Sequence, residues 1–190
     1  MLDIVEENYN DTELGVKIYL FQGLPKADKM ELIIQKCVEL GVFAVVPVEM
    51  KNCVVKLDDK KAKSKCVRWQ AISESAAKQS KRNIIPEVLD VMSYSKAIEF
   101  ANTLDMVIFP YENKDGMKAT KDVLNGLRDV KTVGIFIGPE GGFENSEVEK
   151  ALNNAFKVVS LGKRILRTET AAITAVSMCM LSLEMMDGDN

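Results

Sequence analysis

Two short apolar segments, each followed by a glycine-containing loop and then a helical pattern, lie close together between residues 132 and 172. Residues 133–137 precede GPEGGF, and residues 157–161 precede GKRILRTET. Such short apolar segments are typical of strands buried in a parallel sheet. Parallel sheets usually bind small ligands at the carboxyl ends of their strands, so these two loops are the first candidates for a functional site.

The rest of the chain continues the alternation of strand and helix. Strands are predicted at residues 16–21, 43–48, 53–57, 88–89, 105–109, 133–137 and 157–161. Helical spacing is predicted at residues 28–40, 58–80, 94–101, 117–126, 146–154 and 168–186. In the first of these helices Asp28 and Glu31 resemble an N-cap arrangement, and one apolar stripe is formed by Met30, Ile33, Ile34, Cys37 and Val38. This alternation predicts an α/β fold, a mostly parallel sheet with helices on both faces.

Composition excludes several classes of chemistry. The chain contains no histidine, which removes Ser-His-Asp and Cys-His catalysis and the commonest zinc ligand. Its four cysteines are scattered without a C-x-x-C pair, a pattern typical of reduced thiols in a cytosolic protein. The net charge of −3 provides no overall basic field, so a nucleic-acid role would depend on local patches.

The two ends of the chain carry no clear targeting signal. Residues 1–15 are acidic and lack the basic region and apolar run of a signal peptide. Residues 171–186 are apolar but short for a membrane span, and Thr174, Ser177, Ser182 and Glu184 interrupt them. We therefore expect a core or interface helix in a cytoplasmic protein, with no membrane partner.

The predicted helix at residues 58–80 and the segment after it are rich in basic side chains. They comprise Lys60, Lys61, Lys63, Lys65, Arg68, Lys78, Lys81 and Arg82. A solvated helix face would explain this charge, and so would docking of an anionic partner such as RNA.

The first glycine loop, residues 138–143, suits close approach of a ligand to the backbone. Ser146 and Glu149 fit a capping box that would start the following helix. The loop is neither G-x-G-x-x-G nor a Walker loop, and a plain connector would look similar.

The second loop places Lys163, Arg164 and Arg167 just before a helix amino terminus, which itself favours anions. Leu161, Ile165 and Leu166 could form an apolar slot for a flat ring. One arginine could position a substrate while the other pairs with Glu169, or the loop could hold only a local salt bridge. Residues 107–112 end the preceding strand, and their loop is expected at the same edge of the sheet.

The motifs GPEGGF and VSLGKRILRTETAA together resemble the RsmE family of 16S ribosomal RNA uridine N3-methyltransferases, in the SPOUT superfamily. Further matches are KMELIIQKCVELGV, VVKLD and RWQAISESAAKQSKRNIIPEV, so the resemblance covers residues 20–180. It implies a SPOUT-type fold with a C-terminal trefoil knot, S-adenosylmethionine as the methyl donor, no metal, and a homodimer. It also implies two units: residues 1–22 as the remnant of a PUA-like β-barrel, and residues 23–190 as the methyltransferase domain.

The resemblance assigns residues to three roles. Donor contacts would fall on Phe109, Pro110, Gly138, Pro139, Glu140, Gly141, Gly142, Leu161, Gly162, Ile165, Leu166, Arg167, Thr170 and Ala171. Contacts to 16S rRNA within the small ribosomal subunit would fall on Lys60, Lys61, Lys65, Arg68, Lys81, Arg82 and Lys163. Asn52 stands where this family often has an arginine, which weakens the expectation of an anion contact there.

Arg167, with Arg164 as substitute, is the candidate for stabilising the negative charge that develops on the uridine base. Glu140 or Glu169 could accept the N3 proton or orient an arginine. The alternatives are a non-catalytic RNA-binding or ribosome-assembly protein that retains the fold, and a nicotinamide-dependent oxidoreductase. The second lacks both G-x-G-x-x-G and its downstream acidic residue.

Overall fold

A seven-stranded sheet, in which every pair of neighbouring strands is parallel, forms the centre of the protein. The computed structural model describes residues 12–111 and 116–187. The strands are β1 (Lys17–Gly23), β2 (Ala44–Glu49), β3 (Glu87–Val88), β4 (Met92–Ser93), β5 (Met106–Pro110), β6 (Thr132–Ile137) and β7 (Lys157–Val159). Their order is β3-β2-β1-β6-β5-β7, and β4 also pairs with β2.

Within the described residues, six helices and a short 3-10 helix at Gly126–Asp129 accompany these strands. The helices are α1 (Lys29–Glu39), α2 (Asp59–Gln79), α3 (Tyr94–Ala101), α4 (Gly116–Asn125), α5 (Asn145–Asn153) and α6 (Thr168–Asp187). Helix α1 packs against both α2 and α6, and α6 also contacts β1 and β6. The predicted α/β class and parallel sheet are confirmed.

The hydrophobic pattern of α1 shows why this helix packs on the sheet. The five residues of its apolar stripe are all buried: Met30, Ile33, Ile34, Cys37 and Val38. After the helix ends, Gly41 adopts a φ of 90°, a left-handed conformation that suits glycine.

Strands β1 and β6 carry the centre of the core. Phe21 and Phe136 stack with ring centroids 4.4 Å apart and planes only 3° from parallel. Both rings are fully buried, as are Ile18, Leu20 and Ile135 on the same two strands. Parallel strands covered on both faces need such continuous apolar runs, and this explains the unbroken hydrophobicity of these segments.

Several local predictions are wrong. Residues 53–57 form no strand; Cys53 instead closes a turn, donating its backbone N–H to the Met50 carbonyl at 3.1 Å. Asp28 makes no capping hydrogen bond with its side chain, whereas Asp58 caps α2 through the Lys61 N–H at 2.8 Å. The capping box of α5 is formed by Glu144 and Glu147 rather than by Ser146 and Glu149.

The predicted division of the chain after residue 22 does not match the sheet. Strand β1 spans that position and lies between β2 and β6, hydrogen-bonded to both. Residues 17–22 are therefore an inner strand of the same sheet. Residues 1–11, which make up half of the proposed barrel remnant, lie outside the described part of the chain.

Helix α6 is apolar around most of its circumference. By length and composition, its segment Thr168–Met186 could cross a membrane. Only 28% of the most apolar window of this segment is buried within the chain. Its buried residues are Ala172, Ala175, Val176, Cys179 and Leu183. The core-helix prediction is therefore met on one face, while Leu181 and Met185 remain exposed.

Gly23, the last residue of β1, touches the first glycine loop so closely that a side chain does not fit. A Cβ there would lie 2.7 Å from Pro139 Cδ, 2.8 Å from Pro139 N and 2.9 Å from Met50 Sδ. We predict that Gly23→Ala lowers the free energy of unfolding by about 2 kcal/mol, since backbone must shift to relieve the overlap.

Urea unfolding measures this difference. The matched control is Gly15→Ala, because a Cβ at Gly15 would meet nothing within 4 Å. Equal stability of the two variants would contradict the close packing of β1 on the loop.

Candidate functional site

The carboxyl ends of β5, β6 and β7 lie side by side at one edge of the sheet, and the loops after β6 and β7 start there. Strand β5 lies between β6 and β7 and pairs with both, with Pro110 opposite Val159 at its end. The Tyr111 N–H extends this pairing by donating to the Val159 carbonyl at 3.1 Å. The three strand ends therefore meet at one edge, as predicted, while residues 112–115 of the loop after β5 lie outside the described part of the chain.

Residues 138–143, here called the glycine loop, turn sharply after β6. The Gly142 N–H donates to the Pro139 carbonyl at 2.9 Å, and Gly142 has a φ of 68°. A Cβ on Gly142 would meet nothing within 4 Å, so this stretch of backbone faces open space. Asn52 supports the far side by donating to the carbonyls of Gly141 and Gly142 at 3.2 and 3.3 Å.

Residues 161–167, here called the cationic loop, follow β7. Its start is anchored by Thr120, whose hydroxyl accepts from the Ser160 N–H at 2.9 Å and donates to the Ser160 carbonyl at 3.1 Å. Gly162 has a φ of 110° with open space where a Cβ would lie. The exposed side chains are Lys163, Arg164, Ile165 and Arg167.

The cations of this loop lack the ion pairs predicted for them. Within residues 12–111 and 116–187, Lys163, Arg164 and Arg167 form no salt bridge. Glu169, the predicted partner of an arginine, instead binds Lys29, with 3.3 Å between its Oε2 and the lysine Nζ. The arginines are therefore free to meet an anion.

A buried polar chain joins the two loops to the centre of the sheet. Thr168 donates its hydroxyl to the Gly138 carbonyl at 2.7 Å and accepts from Gln22 Nε2 at 2.9 Å. Gln22 is 0% exposed, and its Oε1 has no hydrogen-bond partner within the described residues. Such buried hydrogen bonds hold the first turn of α6 against the glycine loop.

Glu140, in the glycine loop, is held by residues at the start of α1 and in the turn before it. Its carboxylate accepts from the Lys26 N–H at 3.1 Å and pairs with Lys29 Nζ at 3.0 Å. Burial raises the pKa of Glu140, but hydrogen bonds from its own N–H, Lys29 and Lys26 outweigh it, so the pKa lies below the ordinary value. The hydrogen bond to Glu140 raises the pKa of Lys29, with a further contribution from Glu169.

Aromatic and aliphatic groups form one side of the site. The rings of Phe109 and Phe143 pack with centroids 4.4 Å apart, which joins the end of β5 to the glycine loop. Leu161 and Leu166 are half-buried, whereas Ile165 is fully exposed. The apolar slot therefore stays a prediction, and Ile165 contributes no buried surface to it.

The fourteen residues predicted to contact a donor lie at the end of β5, on the glycine loop, on the cationic loop or on the first turn of α6. This edge combines open glycine backbone, aromatic carbon and unpaired cations, which together suit a flat, partly charged ligand beside an anionic one. Within the described residues, no cluster of three or more Cys, Asp or Glu side chains could hold a metal ion.

The predicted basic surface on α2 and after it is only partly available. Arg82 is 3% exposed; it pairs with Glu13 and donates to the carbonyls of Val38 and Val42 at 3.1 and 2.6 Å. It thus caps the end of α1 and cannot contact RNA. Arg68 pairs with Glu31 at 2.8 Å and Lys61 with Asp58 at 3.1 Å, but both remain largely exposed.

The sequence did not single out three residues of the site, which are Gln22, Lys29 and Thr168. Lys29 opens the quoted segment KMELIIQKCVELGV, and Thr168 lies within LGKRILRTETAA. A buried glutamine at the end of an apolar strand was the available signal for Gln22, since such a residue needs a specific partner.

Comparisons with known proteins agree with this geometry. Residues 12–180 match the family described as RNA methyltransferase domain. The chain is 41% identical over 189 residues to ribosomal RNA small subunit methyltransferase E of Bacillus subtilis, covering 98% of this chain and 74% of that protein.

Two solved structures show the same architecture. The enzyme of that name from Neisseria gonorrhoeae, bound to S-adenosyl methionine, is 35% identical with a TM-score of 0.73, covering 88% of this chain and 67% of that one. The SpoU methyltransferase AviRb from Streptomyces viridochromogenes is 14% identical with a TM-score of 0.54, covering 91% of this chain and 62% of that one, and shows the fold alone.

Because Arg82 is buried in an ion pair, its removal should affect stability rather than nucleic-acid binding. We predict that Arg82→Met lowers the free energy of unfolding by about 3 kcal/mol, since Glu13 and two carbonyls lose their donor. Urea unfolding checks this, with Lys81→Met, its exposed neighbour, as the control. A stable Arg82→Met protein with weakened RNA binding would contradict the assignment.

Proposed function

The chain belongs to the RNA methyltransferase family that includes ribosomal RNA small subunit methyltransferase E, and from this membership we propose that it methylates ribosomal RNA with S-adenosylmethionine as donor. The proposed acceptor is N3 of a uridine in 16S rRNA of the small subunit. We expect this reaction to take place in the cytoplasm. The observation that carries the proposal is the meeting of three strand ends at one edge, together with open glycine backbone and with arginines that form no salt bridge to a described residue.

The residues at this edge fit the donor. Backbone at Gly142 and Gly162 faces open space, and the half-buried Leu161 and Leu166 offer apolar surface for an adenine ring. Phe109 is fully buried and supports the site from the core through its contact with Phe143. We assign donor binding to the fourteen loop and α6 residues named above, from Phe109 to Ala171. When bound, S-adenosylmethionine supplies an electrophilic methyl group on its sulfonium sulfur.

The chain's contribution to the chemistry is positioning and electrostatics. Uridine N3 is weakly acidic, and its loss of a proton spreads negative charge onto O2 and O4. We assign Arg167 to stabilise that charge, with Arg164 as substitute and Lys163 on a nearby phosphate. All three are exposed and form no salt bridge with a described residue, so no existing pair must break first.

In this proposal, Glu140 and Glu169 have a structural role as ion-pair partners of Lys29 and do not act as general bases. Each is within 3.3 Å of Lys29, and the pKa of Glu140 lies below its ordinary value. A carboxylate held ionised by a lysine is a weak proton acceptor for a group as weakly acidic as uridine N3. Solvent is the remaining acceptor for the N3 proton.

The basic face of α2 is the proposed docking surface for rRNA phosphates. Because the side chain of Arg82 is buried, this surface excludes it. The surface comprises Lys60, Lys61, Lys65 and Arg68 on α2, and Lys81 just after the helix. Lys163 would add a contact close to the reacting base. Most of these side chains are exposed, as phosphate contacts require.

We also propose that two copies of the chain pair through α6 and that the carboxyl-terminal part of the fold is knotted. Only 28% of the most apolar window of α6 is buried within one chain. A second copy would remove the remaining apolar surface from water without a membrane.

Removing Arg167 tests the catalytic assignment. We predict that Arg167→Ala lowers the rate of methylation of unmethylated small subunits at least about a hundredfold, because the developing negative charge loses its cation. Binding of S-adenosylmethionine, measured by calorimetry, should change little.

Arg128→Ala is the matched control, since Arg128 is also exposed but lies before the amino end of β6, at the opposite edge of the sheet. Undiminished turnover in Arg167→Ala would overturn the role of Arg167. A wild-type chain that binds RNA but not the donor would favour the non-catalytic alternative.

The exposed apolar residues of α6 test the dimer. Leu181 and Met185 are 44% and 69% exposed. We predict that Leu181→Lys with Met185→Lys converts a dimer to a monomer in sedimentation velocity, because two charges per chain would be buried at the interface. The control is Leu152→Lys on α5, where the leucine is 50% exposed. A monomeric wild-type protein would contradict the proposal.

A further inference from the structure

Lys29 lies where three parts of the chain meet. It is the first residue of α1, and its Nζ is 3.0 Å from Glu140 of the glycine loop and 3.3 Å from Glu169 of α6. One ammonium group therefore bridges the glycine loop and the helix that follows the cationic loop.

The turn that presents Lys29 is locally unfavourable. Ala27 has a φ of 52°, a left-handed conformation that costs a non-glycine residue about 1 kcal/mol or more. Asp28 precedes α1 without capping it through its side chain. Lysine at the first helical position also places a cation at the positive end of the helix dipole.

Contacts across the site offset these local costs. The same turn donates the Lys26 N–H to Glu140 at 3.1 Å, so backbone and side chain of residues 26–29 converge on one carboxylate. Several unfavourable local features in one turn indicate that its residues were selected for their long-range contacts.

The bridge also determines which cations remain free. Glu169 is two residues from Arg167, and Glu140 lies in the neighbouring loop. Both carboxylates are occupied by Lys29, whereas Arg164 and Arg167 form no salt bridge with any described residue. Without Lys29, two uncompensated carboxylates would be available to attract these arginines.

We propose that Lys29 is a positioning residue that ties the glycine loop to α6 and, by pairing with both Glu140 and Glu169, keeps the arginines of the cationic loop free for an anionic substrate. This inference rests on the proposed function for its catalytic consequence. The tether itself does not depend on that function.

The first experiment therefore uses the free protein without donor. Amide hydrogen exchange follows Gly142 and Ala171, whose N–H groups bond the Pro139 and Arg167 carbonyls. We expect Lys29→Met to accelerate exchange of both amides about tenfold, since each loses the restraint that Lys29 imposes on its segment. Lys29→Arg should preserve protection, and Lys26→Met, which removes a neighbouring exposed charge but no side-chain ion pair, should leave it unchanged.

The second experiment is a mutant cycle on binding and turnover, comparing wild type, Lys29→Met, Glu169→Gln and the double variant. We expect Lys29→Met to raise the KM for unmethylated small subunits about tenfold, and Glu169→Gln in the same chain to recover most of that loss. Recovery by removing a second group is a result that general loss of packing would not produce. The Kd for S-adenosylmethionine is measured in parallel by calorimetry.

The outcomes separate the two hypotheses. Unchanged exchange in Lys29→Met, or strictly additive effects in the cycle, would overturn the role of Lys29. A wild-type chain that binds no donor would overturn the proposed function, while the exchange result would still decide whether Lys29 ties the two segments together.

Discussion

The parallel pairing of β6 with β1 on one side and β5 on the other is the constraint on which the site depends. Parallel strands end at the same edge, so the loops after β5, β6 and β7 must meet there. The stacked rings of Phe21 and Phe136 hold the first pair together within the core. The contact of Gly23 with Pro139 then carries this packing directly into the glycine loop.

Charge is distributed unevenly around this edge. The anions Glu140 and Glu169 are tied to one lysine, and the cations of the following loop are left exposed. Fixed anions give rigidity, because their hydrogen bonds are charge-assisted. In the proposed function the exposed arginines bind an anionic substrate, and RNA supplies both a phosphate and a base that becomes negative during methylation.

Much of the fold was predictable from hydrophobic periodicity, and the errors have identifiable causes. The apolar stripe of α1 was predicted residue by residue, because burial of one helix face requires that spacing. The strand prediction at residues 53–57 is wrong because β-branched residues also occur in turns. Whether a partner strand is available for such a segment depends on the sheet. Ser146 lost the capping position to Glu144 because several side chains near a helix start compete for the same N–H groups.

The alternation of strands and helices, the position of the two glycine-containing loops and the residue types in them follow from the order of amino acids alone. The tertiary structure decided which charges find partners. The sequence gives no reason to treat Arg82 and Arg167 differently. In the structure, Arg82 is buried against Glu13, whereas Arg167 is exposed beside the site. Lys29 and Glu169 are 140 positions apart along the chain, so only folding brings them together. Hydrophobic burial follows local periodicity, whereas ion pairs depend on long-range geometry, and local sequence does not encode that geometry.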